Sequence, residues 1–180
     1  MPLFFAFLRA INVGGRRVAM DDLRRVFESL GYSSVETFIA SGNVIFEAEG
    51  RGAAALEDEI EDALRAALGY EVTTFVRTGA ELAAVASREP FGREEDGAAL
   101  NVAFLKETPG RDASRKLSAL RTEADDFRLV GREVYWLCRT RQSESAFSNA
   151  VLEKTLGLRS TLRTASTVRK MAAKYNTPAR

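Results

Sequence analysis

The sequence predicts an α+β fold of two halves, each of βαββαβ type, with antiparallel sheets and packed helices. Two observations carry this expectation. Short apolar or alternating runs with strand spacing are separated by segments whose apolar residues recur at helical spacing. Glycine or proline also stands at most of the junctions between them.

Leu3 to Leu8 ("LFFAFL") is a continuous apolar run, which predicts a strand over 3–9 buried on both faces. In the following segment Met20, Leu23, Val26, Phe27 and Leu30 form one helical stripe. Asp21 and Asp22 fall in its first turn, where the dipole favours acids, and Gly31 stops it. "VETFIA" and "NVIFEA" predict strands over 34–39 and 43–48, joined through "SGN". "AAALEDEIEDALRAALG" is a second amphipathic helix, with Leu56, Ile60, Leu64 and Ala67 inward and Gly69 as its stop. "YEVTTFVRT" predicts a strand over 71–77. The order β-α-β-β-α-β is the ferredoxin-like, split βαβ arrangement.

The second half repeats the theme. "ELAAVASR" is a linking helix ended by Pro90. Strands are expected over 99–106, 126–130 and 133–139, the last two as a hairpin around Gly131 and Arg132. "RDASRKLSALR", "FSNAVLEKTLG" and "ASTVRKMAAKY" read as helices. The expected organisation is a ferredoxin-like half over 1–78, a linking helix and loop over 79–97, and a second ferredoxin-like half with a C-terminal helix over 98–180.

Composition narrows the chemistry. The 180 residues carry a formal net charge of +1, which makes no global case for nucleic acid or membrane binding. Locally, Glu47, Glu49, Glu57, Asp58, Glu59, Glu61 and Asp62 face only Arg51, and the stretch from Val151 onward is basic. Two solvated helix faces account for this pattern, and an electrostatically oriented partner is the sharper alternative. There is no histidine, so Ser-His-Asp and Cys-His pairs, histidine bases and histidine metal ligands are excluded. Cys138 is the single cysteine, which rules out an internal disulfide, suits a reducing cytoplasm and leaves no metal site to expect. It alternates with Trp136 in "VYWLC", a core position. No run is long enough to span a membrane and no signal peptide is evident.

The segment Asn12, Val13, Gly14, Gly15, Arg16, Arg17 lies between the first strand and the first helix. Glycines allow close backbone approach to a ligand, and the arginines supply charge for a phosphate or carboxylate. Neither a P-loop nor a dinucleotide fingerprint is present, and a structural turn is the plain alternative. Arg9, after an apolar strand, calls for a carboxylate or carbonyl partner, with Glu47 as the candidate if the third strand pairs with the first. Ser41 and Asn43 flank the hairpin turn, where Asn43 either closes the turn or meets a ligand. Arg163, Thr167 and Lys170, with Arg169, make a second basic element, in which Thr164 or Ser166 can cap the last helix.

The stretch "LRAINVGGRRVAMDDLRRVFESLGYSSVETFIASGNVIF" resembles the opening of the domain of unknown function 1697 family, which is bacterial and uncharacterised. "INVGG", "SGNVIF" and "FSNAVLEKTLG" are its most specific pieces. The resemblance implies an α+β fold of ferredoxin-like parts and no established activity. The tail departs from the family pattern: Arg163-Thr164-Ala165-Ser166-Thr167 stands where many members carry Arg-Asn-Trp-Asn-Thr.

The functional expectation is a noncatalytic binding module for an anionic or phosphate-bearing ligand, with nucleic acid among the candidates and no cofactor. The candidate ligand residues are Arg9, Asn12, Gly14, Gly15, Arg16, Arg17, Ser41, Asn43, Arg163, Thr167 and Lys170. The alternatives are an enzyme acting on a small phosphorylated metabolite without histidine or metal chemistry, and a protein-interaction module. A cytoplasmic monomer or homodimer, away from membranes, is expected.

Overall fold

A computed structural model describes residues 1–12, 15, 17–39, 42–93 and 95–175. Its elements run β1 (Leu3–Leu8), α1 (Met20–Ser29), β2 (Ser33–Thr37), β3 (Asn43–Glu47), α2 (Ala53–Leu68), β4 (Thr74–Thr78), α3 (Gly79–Ser87), β5 (Ala99–Phe104), α4 (Ala113–Ser118), β6 (Asp125–Val130), β7 (Glu133–Cys138), α5 (Asn149–Leu156), β8 (Thr161–Thr164) and α6 (Ala165–Tyr175). Two four-stranded antiparallel sheets result, ordered β2-β3-β1-β4 and β6-β7-β5-β8. The fold is α+β, and both sheets have the strand order of the ferredoxin-like arrangement. The chain divides into two compact units, Met1–Ala83 with Met171–Arg180, and Ala84–Lys170. The division falls inside α3 and inside α6.

In the first unit, β1 is central and buried on both faces, as a continuous apolar run requires. Phe4, Ala6 and Leu8 join Val44, Phe46 and Val76 in a core closed by Leu23 and Phe27 of α1 and Leu56, Ile60 and Leu64 of α2. Phe46 stacks on Tyr32 at 4.7 Å and meets Phe27 edge-on at 5.4 Å. Register places Phe5, Phe7, Ile45, Phe75 and Arg77 on the opposite face, where all are also buried. There the Tyr175 ring lies edge-on to Phe5 and Phe38, and its hydroxyl donates to Glu36 at 2.7 Å.

The acidic run on α2 is not wholly a solvated face. Glu57 is buried and accepts a hydrogen bond from Val76 N at 2.9 Å. Glu61, one turn on, accepts from Thr74 N at 2.9 Å. Four helical residues rise about 6 Å, and two strand residues about 6.6 Å, so carboxylates at i and i+4 match alternate N–H groups of a strand edge. Glu81 continues the series by accepting from Thr78 N at 2.8 Å. The Thr78 hydroxyl in turn accepts from Glu81 N at 3.2 Å, a capping box that starts α3.

In the second unit, Trp136, Phe127 and Phe147 centre a core with Leu105, Leu117, Val134, Cys138 and Leu152. Cys138 is fully buried, as its place in "VYWLC" predicts. Buried Asp125 accepts from Trp136 Nε1 and from the Ser145 hydroxyl, both at 2.8 Å. β6 and β7 turn on Gly131 and Arg132. Ser148 caps α5 and Gly157 ends it in the left-handed region. Asn149 Nδ2 donates to Ser160 O at 2.9 Å, and Glu153 accepts from Ser160 N at 3.1 Å. These contacts aim the chain into β8, an edge strand that the sequence pattern did not reveal.

Candidate functional site

The residues singled out in the sequence fall in two places. β1 and β2 end, and β3 and β4 begin, at one end of the first sheet, where Leu8 N donates to Gly42 O at 2.8 Å. That end gathers Arg9, Asn12, Gly15, Arg17 and Asn43. Gly14, Arg16 and Ser41 lie outside the described residues.

Asn12 Oδ1 accepts from Val18 N at 2.9 Å, so its carbonyl closes the β1–α1 loop on itself. Tyr70 holds the start of that loop through a hydrogen bond to Ile11 O at 3.1 Å. Gly15 has φ +79°, and Arg17 is exposed. Asn43 is buried and donates to Phe38 O at 3.0 Å, which closes the hairpin end. The expected Arg9–Glu47 ion pair does not form. Antiparallel register sets Glu47 opposite Leu3, six residues from Arg9 along β1, a separation of about 20 Å. The Ser33 and Ser34 hydroxyls donate to Glu47 instead.

The second basic element lies on β8 and α6. Arg163 Nη1 donates to the Thr161 hydroxyl and to Leu162 O, both at 2.8 Å. Burial pulls its pKa down to about 10. Thr164 is the cap of α6, accepting from Thr167 N at 3.2 Å, while Lys170 is exposed.

A better-formed concavity stands in the second unit and was not read from the sequence. It is a cleft of about 520 Å³, walled by the end of α3 and the segment from Arg88 to Arg93, with Glu95, Leu100 of β5, Leu137 of β7 and Arg169 of α6. That volume is within the range of small-molecule sites. Among the described residues three arginines line it: Arg88, Arg93 and Arg169. Arg88 is held by buried Glu133 at 3.2 Å and lies 3.5 Å from the Tyr135 hydroxyl. The Tyr135 contact first, and Glu133 after it, holds the Arg88 pKa above its ordinary value. Burial pushes the Tyr135 hydroxyl up. Arg139 takes both oxygens of Glu95, at 2.8 and 3.1 Å, and holds that carboxyl below its ordinary pKa. Of Glu89 and Glu95, the two acids in the lining among the described residues, Glu95 is therefore already matched by a cation. On Phe91 the Arg128 guanidinium lies 4.9 Å from the ring centroid.

The model of a protein family of unknown function, DUF1697, matches residues 1–135. The chain belongs to the DUF1697 family. No curated protein matches it. Among solved structures, this DUF1697 chain is similar to the conserved bacterial protein SP0830 from Streptococcus pneumoniae. The two share 22% identity over 96% of this chain and 97% of that one, with a TM-score of 0.73. At that identity the likeness shows a common fold. The DUF1697 match includes Arg88, Phe91 and Arg93 and ends before Arg169.

Among the described residues of this DUF1697 member, no group of three His, Cys, Asp or Glu side chains is placed to hold a metal ion. No helix formed by them is long and apolar enough to cross a membrane. The cleft's signal in the sequence was the run Arg88-Glu89-Pro90-Phe91-Gly92-Arg93, an aromatic between two arginines on a proline- and glycine-punctuated loop.

Proposed function

We propose that the protein is a noncatalytic binding module for a small anionic ligand, phosphate- or carboxylate-bearing, seated in the cleft of the second unit. One observation carries the reading: Arg88, Arg93 and Arg169, from a loop and a helix far apart in sequence, line a single cleft. Guanidinium groups present planar forks of donors that match carboxylate and phosphate oxygens. Arg88 is oriented by Glu133, so part of its freedom is lost before a ligand arrives. Binding is favoured over catalysis because two of the other polar side chains in the lining are already engaged within the protein. The Ser87 hydroxyl donates to Ala84 O at 3.1 Å, and Glu95 is engaged by Arg139.

The test is thermal denaturation with millimolar inorganic phosphate, glucose 6-phosphate and AMP at two salt concentrations. At least one of them should raise the melting temperature of the parent protein, less so at high salt. Arg93→Ala, an exposed change, should reduce that rise and leave the unliganded melting temperature nearly unchanged. A parent protein that no anion stabilises, or an Arg93→Ala protein that responds like the parent, refutes the reading.

A further inference from the structure

Resting on the anion-binding reading, we infer that the ligand carries a flat aromatic ring beside its anionic group, and that its class is the nucleoside monophosphates. An anion alone accounts for the arginines and leaves the rest of the wall unexplained. Beside them one part of the wall is apolar, made by Phe91, Pro90, Leu100 and Leu137, while Ser87, Glu89 and Glu95 make the rest polar. Inorganic phosphate is far too small to cover that surface. A sugar phosphate is large enough, but hydroxyls set against Phe91, Leu100 and Leu137 would lose water there without gaining partners from that part of the wall. A planar ring covers apolar wall at little polar cost, and every nucleobase has such a face.

Phe91 is the natural platform. It sits between Arg88 and Arg93 in the chain, so the loop that supplies charge also supplies the ring. Its ring is already approached by Arg128, whose Nη1 is fixed by Asp126 at 3.1 Å and by Phe127 O at 2.9 Å. Phe91 is thus steadied by a neighbour before anything stacks on it, which lowers the ordering cost of binding. The cleft volume of about 520 Å³ admits one nucleotide and not a folded polynucleotide.

Titration calorimetry with AMP, CMP, GMP, UMP, ribose 5-phosphate and inorganic phosphate tests the inference on the full chain. The parent should bind at least one nucleotide roughly tenfold or more tighter than ribose 5-phosphate, the gain typical of one stacked base. Phe91→Ala should bring that nucleotide down to the level of ribose 5-phosphate without changing ribose 5-phosphate itself. Phe91→Leu, which keeps apolar volume and loses the aromatic face, should do nearly the same and guards against loop collapse. Equal affinity for ribose 5-phosphate and every nucleotide overturns the ring and leaves the anion reading standing. So does a nucleotide preference that survives in Phe91→Leu. Absence of binding by all six compounds overturns both.

Discussion

Replacing Arg88 with Met should destabilise the second unit through the group it leaves behind. The Glu133 side chain is 8% exposed, and Arg88, at 35%, is a cation paired with it. Removing one partner of a fully buried ion pair costs about 3–5 kcal/mol, because the remaining charge is uncompensated. Here a third of Arg88 is in water, so solvent screens part of the interaction and about 1.5–3 kcal/mol is expected. Glu133→Gln keeps the shape and an acceptor for the guanidinium, and should cost about 0.5–1.5 kcal/mol. In the double variant the buried amide no longer needs a cation. The combined loss should then fall short of the sum by about 1–2 kcal/mol. Urea unfolding of the four proteins, followed by emission of the lone tryptophan in the core of the same unit, measures the cycle. If the losses add to within about 0.4 kcal/mol, the pair is not coupled and Arg88 is an ordinary surface cation. The account of a pre-oriented cleft wall would then fail.

Phe5→Ala or Phe7→Ala should each cost about 3–5 kcal/mol in urea unfolding followed by far-UV circular dichroism, since both rings are fully buried; a loss under about 1 kcal/mol removes β1 from the centre of the fold. Glu57→Ala strands the Val76 N–H and should cost about 1–3 kcal/mol, and Glu57→Gln, which retains an acceptor, distinctly less. Arg163, its pKa drawn down to about 10 by burial, predicts a pH effect. Its charge opposes folding in full below that pH, and the opposition fades as pH climbs from about 10 toward the ordinary arginine value of 12.5. The stability of the parent relative to Arg163→Met should therefore improve across that window, as seen in paired melting curves; a flat difference contradicts it.

The folding pattern was legible wherever local chemistry and tertiary role agree. The Phe-rich run became the doubly buried β1, and Leu23, Phe27, Leu56, Ile60 and Leu64 of the α1 and α2 stripes became the faces that cover it, whereas Met20 and Ala67, at the ends of those stripes, are exposed. Gly31, Gly69, Gly131 and Gly157 mark turns or helix ends with positive φ. β8 was hidden because four residues, Thr-Leu-Arg-Thr, form a strand only by pairing with β5. The Arg9–Glu47 expectation assumed the right strands and the wrong end, a distinction that register alone makes. The acids of α2 read as solvated because nothing in a helix pattern announces an adjacent strand edge. The cleft was hidden for a related reason. Its arginines are spaced from residue 88 to 169, and only the fold lines them around one space. One feature was available and missed: Thr78 followed by Glu81 spells a capping box.

The three carboxylates along β4 bear on how this protein behaves in a crowd of its own copies. A bare sheet margin invites a neighbour's strand. Here an incoming strand would have to compete with Glu57, Glu61 and Glu81 for the outward N–H groups of Val76, Thr74 and Thr78. Two of those carboxylates ride on α2, so this margin is open only while that helix is lifted from it. The propensity to polymerise through β4 is thereby tied to the fraying of one helix, a partial opening that needs less free energy than complete unfolding. Conditions that loosen α2 should start association at temperatures where the second sheet is still intact.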